Sequence, residues 1–502
     1  MLEAPAGFIE VGQTDSQSEE TFDPADWEQF ADLAHRALDD MVQYLRSVRE
    51  RPSFQEIPAA SKRHLNQSLP ERGIGLEQTY AEIKEHILPY PTGNIHPRFW
   101  SWVGGTGTPQ ALLADLVIST MNSCNLGFDE AVPTYVELQL LDWLKSMFGF
   151  PTEASGLLVS GGSMANLVGL AVARNQMAGF DVRAQGANPK DQPRLRYYAS
   201  SQTHSSVRKA IELLGLGKES LVTIPVLDDY TINLDLLSAQ IREDRRTGFK
   251  PACIIGNAGT VNTGALDPLD TLSELCHTED LWLHVDGAFG AIARISKSHQ
   301  HLVKGLEQAD SLAFDLHKWM YQQYDIGCAL VRNRGAHKDT FEVTPDYLTR
   351  FESGLASGPT DFSAYGVQLS RSFRALRAWT SLKSEGLQKF RRLVDQNIDQ
   401  ADYLTQKIKT NSKLEQLAPT SLNVVNFRYR GSLDDDSLLD TLNQELLQLL
   451  QTRGVASPSS TRLKGRFSIR VAISNHRSRR TDFDALIHAV LRIGEELEQR
   501  FQ

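Results

Sequence analysis

Seven short apolar runs, separated by stretches of helical spacing, constrain this chain more than any other feature of it. They occupy residues 157–160, 195–199, 221–226, 252–255, 281–285, 312–314 and 328–331. Runs this short and this continuously apolar read as strands buried on both faces, as in a parallel sheet. Their alternation with helical stretches predicts an α/β sheet covered by helices. One such helix carries Val136, Leu140, Trp143, Leu144, Met147 and Phe148 on its inner face. The alternation marks a large domain at 109–388, within a chain of 502 residues that can bury a sizeable core.

The flanks read differently. Residues 1–22 are polar, acidic and poor in aromatics, and predict a disordered tail. Residues 23–108 form a helical segment, with Asp23-Pro24 as cap and first turn. Phe30, Leu33, Ala34, Ala37, Met41, Tyr44 and Leu45 then fall on one apolar face, which needs a surface to bury it. Residues 389–502 predict a small α+β domain, with alternating strands at 423–429 and 467–473. Its final helix opens at Thr481, with Asp484 three residues on as a capping-box variant. Arg371, Arg374 and Arg377 lie at helical spacing and read as a solvated or interface face.

Two of the strands end on residues that carry chemistry. Asp286 follows the run 281–285, and Lys318 follows 312–314. Side chains at the carboxyl ends of such strands face the crevice where ligands of open α/β sheets bind. An amine can form a Schiff base with an aldehyde, and a carboxylate can keep a pyridine nitrogen protonated as an electron sink, so the pair suits pyridoxal phosphate. The plain alternative is a surface lysine and a helix-capping aspartate. A third element joins them: Gly161-Gly162-Ser163 turns from the run 157–160 into a helix. Free amides and the positive end of the helix dipole suit a phosphate there, although such turns also serve geometry alone.

From about Pro91 to Trp379 the chain resembles the pyridoxal-phosphate-dependent group II amino acid decarboxylases, the family of aromatic-L-amino-acid, histidine and glutamate decarboxylases. The likeness rests on His96-Pro97-Arg98-Phe99, Ser160 to Ser163, Thr203-His204-Ser205-Ser206, Gly259-Thr260, His284-Val285-Asp286-Gly287-Ala288 and His317-Lys318-Trp319. It implies the fold of pyridoxal-phosphate-dependent transferases (fold type I), and a carboxy-lyase with pyridoxal 5'-phosphate on Lys318. It also implies a homodimer, with the 23–108 helices packed on the partner subunit and the active site at the interface.

Residue by residue, the resemblance makes His204 the imidazole that stacks on the cofactor ring and approaches the substrate carboxylate, where it can exchange protons near neutral pH. A capping role before a helix is its plain alternative. Ala288 matches the small residue under the opposite ring face. Thr260 matches a threonine near the cofactor, with a turn role as the alternative. Gly162, Ser163 and His317 match residues that touch phosphate. Asp315 stands where many relatives carry asparagine, and an acid there would repel a phosphate dianion unless protonated or turned away, so it is left out of the predicted site. Tyr347, in the stretch Phe341 to Leu348 that resembles the family's mobile catalytic loop, matches the tyrosine that the neighbouring subunit supplies to protonate the α-carbon. Relatives with phenylalanine there tend to form an aldehyde with oxygen, so Tyr347 and His204 together imply plain decarboxylation.

Substrate choice is written more thinly. Trp102 keeps an aromatic surface after the His-Pro motif, whereas Val103 and Gly104 remove bulk. Leu126 and Phe128 match apolar pocket residues given across the dimer, and Ser370 matches a position that is glycine or serine in relatives. Such a lining predicts an aromatic substrate, tyrosine, dopa or tryptophan, because burying an unpaired charge is costly. Arg98 keeps aspartate, glutamate or cysteine sulfinate open; a structural salt bridge is its alternative. An aldehyde-forming oxidase, an aminotransferase and a non-catalytic cofactor-binding protein are the readings from other classes.

Composition agrees. The 52 basic and 62 acidic residues give a net charge of −10, with no basic block to suggest nucleic acid. No apolar stretch is long enough to span a membrane, and the start lacks the pattern of a signal peptide, which predicts a cytoplasmic protein. Cys124, Cys253, Cys276 and Cys328 lack metal spacing and read as reduced core residues.

Overall fold

The computed structural model describes residues 20–343 and 350–501, so Tyr347 and most of the predicted tail lie outside the described residues. All seven apolar runs fold as strands. After a two-residue strand β1 (Phe99–Trp100) come β2 (Ser155–Val159), β3 (Leu195–Ser200), β4 (Leu221–Ile224), β5 (Lys250–Asn257), β6 (Trp282–Asp286), β7 (Ser311–Asp315) and β8 (Gly327–Val331). They form one sheet in the order β2-β8-β7-β6-β5-β3-β4. It is parallel from β7 through β4, while β8 runs antiparallel to both of its neighbours. Strands β6, β7 and β8 are buried along their whole length, as their mainly apolar sequences require.

The helix Gly162–Ala178 lies flat on this sheet because its inner positions are small. A Cβ added at Gly169 would come within 2.6 Å of the His284 ring on β6 and 3.1 Å of Ser311 on β7. The predicted helix 136–148 is Val132–Phe148, with Leu140, Leu144 and Phe148 in the core.

The second sheet has the order β1-β11-β12-β10-β9, with β9 (Leu414–Gln416), β10 (Val424–Tyr429), β11 (Ser457–Leu463) and β12 (Arg466–Ala472). Strands β10 and β12 match the predicted runs. Strand β11, Ser-Pro-Ser-Ser-Thr-Arg-Leu, is too polar to announce itself. Strand β1 comes from the N-terminal segment and pairs in parallel with β11, so the segment 23–108 and the tail share a sheet. Trp100 seals this junction, stacked 4.8 Å from Phe483 and donating from Nε1 to Ser478 at 3.1 Å.

Three local expectations are corrected. The first helix, Trp27–Arg46, is capped by Asp26, which accepts from the Glu28 and Gln29 amides, rather than by Asp23. The last helix, Arg480–Phe501, starts one residue before Thr481, and Asp482 rather than Asp484 reaches back, to the Arg479 amide at 2.8 Å. Arg371 and Arg374 are buried, not a solvated face. Arg371 pairs with the equally buried Glu137 and donates to the Leu158 carbonyl on β2 at 2.9 Å. Arg377 pairs with Asp115 at 2.5 Å. The arginines precede or open the long helix Ala375–Lys409, so their sequence spacing did not place them on an outer helical face.

Two predictions follow from the buried polar groups. Glu137→Ala leaves Arg371 charged and unpaired in the core, and lowers stability by about 3–5 kcal/mol in urea unfolding. His337 donates from Nε2 to the Tyr365 carbonyl (2.8 Å) and accepts at Nδ1 from Ser155 Oγ (2.8 Å), and burial holds its pKa down to about 3. Below its unfolded pKa of about 6.5 the unfolded chain binds a proton that the folded chain refuses, so stability rises with pH across this window. The thermal midpoint therefore falls as pH drops from about 6.5 toward 4, and His337→Gln flattens part of that slope in scanning fluorimetry.

Candidate active site

Strands β6 and β7 are hydrogen-bonded in parallel, with Asp286 opposite Ala313. Their carboxyl ends thus open on the same side of the sheet, with Lys318 three residues past the end of β7. The turn after β2 closes the third side. The result is a cleft of about 430 Å³ lined by Lys318, Asp286, His204, Ala288, Gly162, Ser163 and His317, together with Ser160, Asn166, Ser206, Asp315 and Tyr324. Grooves of about 960 and 730 Å³ elsewhere are larger but lack this constellation.

Asp286 is buried, and its carboxylate is held by two donors: Asn166 Nδ2 to Oδ2 at 3.0 Å and the Ala288 amide to Oδ1 at 3.2 Å. Asn166 sits on the first turns of the helix Gly162–Ala178, and its orientation is fixed from below. His284 is fully buried, and burial alone pushes its pKa down to about 3, so the ring is neutral. Asn166 Oδ1 accepts from His284 Nε2 at 2.9 Å, which puts the single ring proton on Nε2. His284 Nδ1 then accepts from Ser311 Oγ at 2.8 Å, and Ser311 in turn accepts from Trp282 Nε1 at 2.8 Å. Every group has one sense, and the chain ends with the Asn166 amide aimed at Asp286.

The same amide reaches Ser206 Oγ at 3.1 Å, and Ser206 bonds to His204 Nδ1 at 2.8 Å. The Ser206 backbone N–H also donates to Nδ1, at 3.2 Å. A backbone N–H can only donate, so Nδ1 is the acceptor and the proton of neutral His204 sits on Nε2. The ring caps the helix Ser205–Leu213 while lining the cleft, so the capping and ligand roles coexist. Burial lowers its pKa first, with the Lys318 charge adding and Asp286 opposing. Its loop is held by Asn257 at the end of β5, which donates to Thr203 at 3.0 Å.

His317 is likewise kept neutral, chiefly by burial. Its Nδ1 accepts the Ile326 amide at 3.1 Å, and the ring packs 4.5 Å from Tyr324. Its Cε1 would lie 3.1 Å from a Cβ on Gly161, so the ring faces the glycine turn. The first amides of a helix have no partner within it, and Gly162 and Ser163, which open the helix, line the cleft.

The family model for the pyridoxal-dependent decarboxylase conserved domain matches residues 58–430. The chain belongs to the pyridoxal-dependent decarboxylase family. An aromatic-L-amino-acid decarboxylase of Bacillus atrophaeus is 34% identical over 94% of this chain and 96% of its own. The crystal structure of Oryza sativa TDC with PLP and tryptamine superposes with a TM-score of 0.87 at 26% identity, covering 95% of this chain and all of that one. A phenylacetaldehyde synthase of Petunia hybrida is 25% identical over 91% of this chain and 93% of its own. As a member of this family the chain is a carboxy-lyase that uses pyridoxal phosphate.

The residues present fit that cofactor: an amine at Lys318, an oriented carboxylate at Asp286, a small floor at Ala288 and a glycine-opened helix for the phosphate. Asp315 is the one group whose charge opposes it. Thr260 does not line the cleft: its hydroxyl bonds Thr263 at 2.9 Å and accepts the Ala265 amide at 3.1 Å, the turn role. Trp102, Val103, Leu126, Phe128, Ser370 and Arg98 also lie outside the lining of this cleft in a single chain. Trp102 is exposed, with φ +55°. Arg98 has no ion pair among the described residues, so its expected salt bridge is absent there. Asn166 was missed by the sequence analysis, and Ser206, although inside the Thr203 to Ser206 motif, was given no role of its own. The only signal was an asparagine on an otherwise apolar helix face.

Among described helices, none is long and apolar enough to cross a membrane. Asp286→Asn is expected to keep the cofactor but to cut decarboxylation by about 10²–10³, because an amide cannot hold a pyridinium proton. Asn166→Leu should weaken both cofactor affinity and turnover by about tenfold, read by fluorescence titration and carbon dioxide release, through loss of the bond to a charged group.

Proposed function

We propose that this cleft removes the α-carboxylate of an L-amino acid with an aromatic side chain, tyrosine, dopa or tryptophan, and releases the amine. The observation that carries the reading is the arrangement of Asp286, Lys318 and a neutral His204 around one cleft, in a chain 34% identical to an aromatic-L-amino-acid decarboxylase. Pyridoxal phosphate bound through Lys318 supplies the electron sink for the pair left by departing carbon dioxide. Asp286, aimed by Asn166, holds a proton at the ring nitrogen. Ala288 leaves room for a flat ring. His204 offers its Nε2–H to the substrate carboxylate, and Tyr347 delivers a proton to the α-carbon.

We take 109–388 as the cofactor-bearing unit and 23–108 as a dimerisation segment in a homodimer. In support, Trp27 and Phe30 in that segment, with Leu113, Leu116, Val117 and Met121 on the helix Pro109–Met121 that follows it, are exposed apolar side chains, more than a lone subunit usually shows. By the family resemblance, Leu126 and Phe128 would line the neighbour's active site in such a pair. A cytosolic location is favoured by the four unpaired cysteines.

Two other readings have an observation behind them. Arg98, without an ion pair among the described residues, favours an acidic substrate; the Petunia hybrida relative favours aldehyde formation.

Purified protein with added pyridoxal phosphate is incubated with tyrosine, dopa, tryptophan, phenylalanine, histidine, glutamate and aspartate, following carbon dioxide, amine and oxygen together. Amine equal to carbon dioxide, without oxygen uptake, is expected from an aromatic member; release from an acidic member alone rejects the aromatic pocket. Tyr347→Phe should lower amine yield and raise oxygen consumption. Val117→Glu should shift the mass measured by light scattering from two chains toward one, with loss of activity.

A further inference from the structure

Asp315 ends β7 and points into the cofactor cleft. Its carboxylate lies 3.0 Å from Lys318 Nζ through Oδ2, while Oδ1 is buried without a hydrogen-bond partner and 3.8 Å from His317 Nε2. The glycine turn is pressed against it. A Cβ on Gly162 would stand 2.8 Å from Oδ2, one on Gly161 3.6 Å from Oδ1, and one on Gly327 of β8 2.7 Å from Oδ1. The carboxylate therefore borders the seat that the helix amides offer to a phosphate, with no space to swing toward β8. A phosphate dianion there would meet a like charge on a carboxylate that is itself buried, which favours the neutral carboxyl. Neutralisation would also turn the orphaned oxygen into a group able to share an O–H with the phosphate.

We propose that the Asp315 carboxylate, which pairs with Lys318, takes up one proton from solvent when the cofactor phosphate seats on the 161–163 turn. Cofactor loading is then proton-linked, and it weakens as pH rises. The titratable groups facing Asp315 are Lys318 and His317 on its own segment, His204 before the helix Ser205–Leu213, and Tyr324 in the loop before β8. The 161–162 turn and Gly327 bring no charge. The proposal rests on the cofactor's place in this cleft and not on which amino acid is consumed.

The test compares pyridoxal phosphate with pyridoxal, which lacks the phosphate, on wild-type protein and Asp315→Asn. Schiff-base formation, amine plus aldehyde giving imine and water, is common to both ligands and cancels in their ratio. Between pH 7 and 8.5, where the phosphate is already a dianion, the wild-type preference for pyridoxal phosphate should fall by about tenfold or more, the slope of one linked proton. In Asp315→Asn the preference should be level, and at least about tenfold larger at pH 8.5. Calorimetry of the wild type in buffers of different ionisation enthalpy should count one proton more for pyridoxal phosphate than for pyridoxal, a readout that needs no variant. Equal proton counts overturn the proposal, as does a preference equally steep in both proteins. Weaker pyridoxal phosphate binding by Asp315→Asn at every pH would make Asp315 a positioning residue for Lys318 instead. Binding of neither ligand by the wild type would reject the site itself.

Discussion

The hydrogen bond from Asn166 to Asp286 is the contact on which the rest of the site depends. It joins the helix that follows the glycine turn to the strand that carries the acid, across 120 residues of sequence. Trp282, Ser311 and His284 hold the amide in one orientation from beneath, and Ser206 passes the same orientation on to His204. One buried network thus fixes both the aim of the acid and the tautomer of the histidine. A network of this kind is stable only when each member is satisfied, because a stranded polar group in a low-dielectric interior is costly. Here the neutral state of His284, enforced by burial, is what lets every donor find an acceptor.

The network needs a rigid support, and the sheet supplies it. Gly169 lets the helix approach β6 and β7 closely enough for Asn166 to reach the strand end. The buried Glu137–Arg371 pair ties β2, and with it the glycine turn that follows, to the helix Val132–Phe148 and to the segment before the long helix Ala375–Lys409. Asp315 stands apart from this order. Among the described residues its Oδ1 is buried without a hydrogen-bond partner, as unsatisfied groups at functional sites can be.

Legibility in the sequence varied with the range of the interaction. Strands β2, β3 and β5 to β8 were readable because burial on both faces writes a largely apolar run, and the edge strand β4, only partly buried, is apolar enough to join them. Strand β11, exposed on alternate residues and polar, was not. Asp23 and Thr481 were chosen as caps by residue type, yet the first helix begins after Asp26 and the last after Arg479, since tertiary packing sets where a helix starts. Arg371 looked solvated because a run of arginines at helical spacing says nothing about a glutamate 234 residues earlier.

By itself the sequence determined the order of strands and helices, the glycine turn, and an acid and a lysine at the ends of two buried strands. These are local facts: each depends on a few neighbouring residues and on which side chains leave water. Only the tertiary structure decided that β6 and β7 lie side by side, that Asn166 is the residue aiming Asp286, that Thr260 bonds within its own turn, and that Asp315 faces the Gly161–Gly162 turn. Those are contacts between segments far apart in the chain, chosen by packing and by the demand that each buried polar group find a partner.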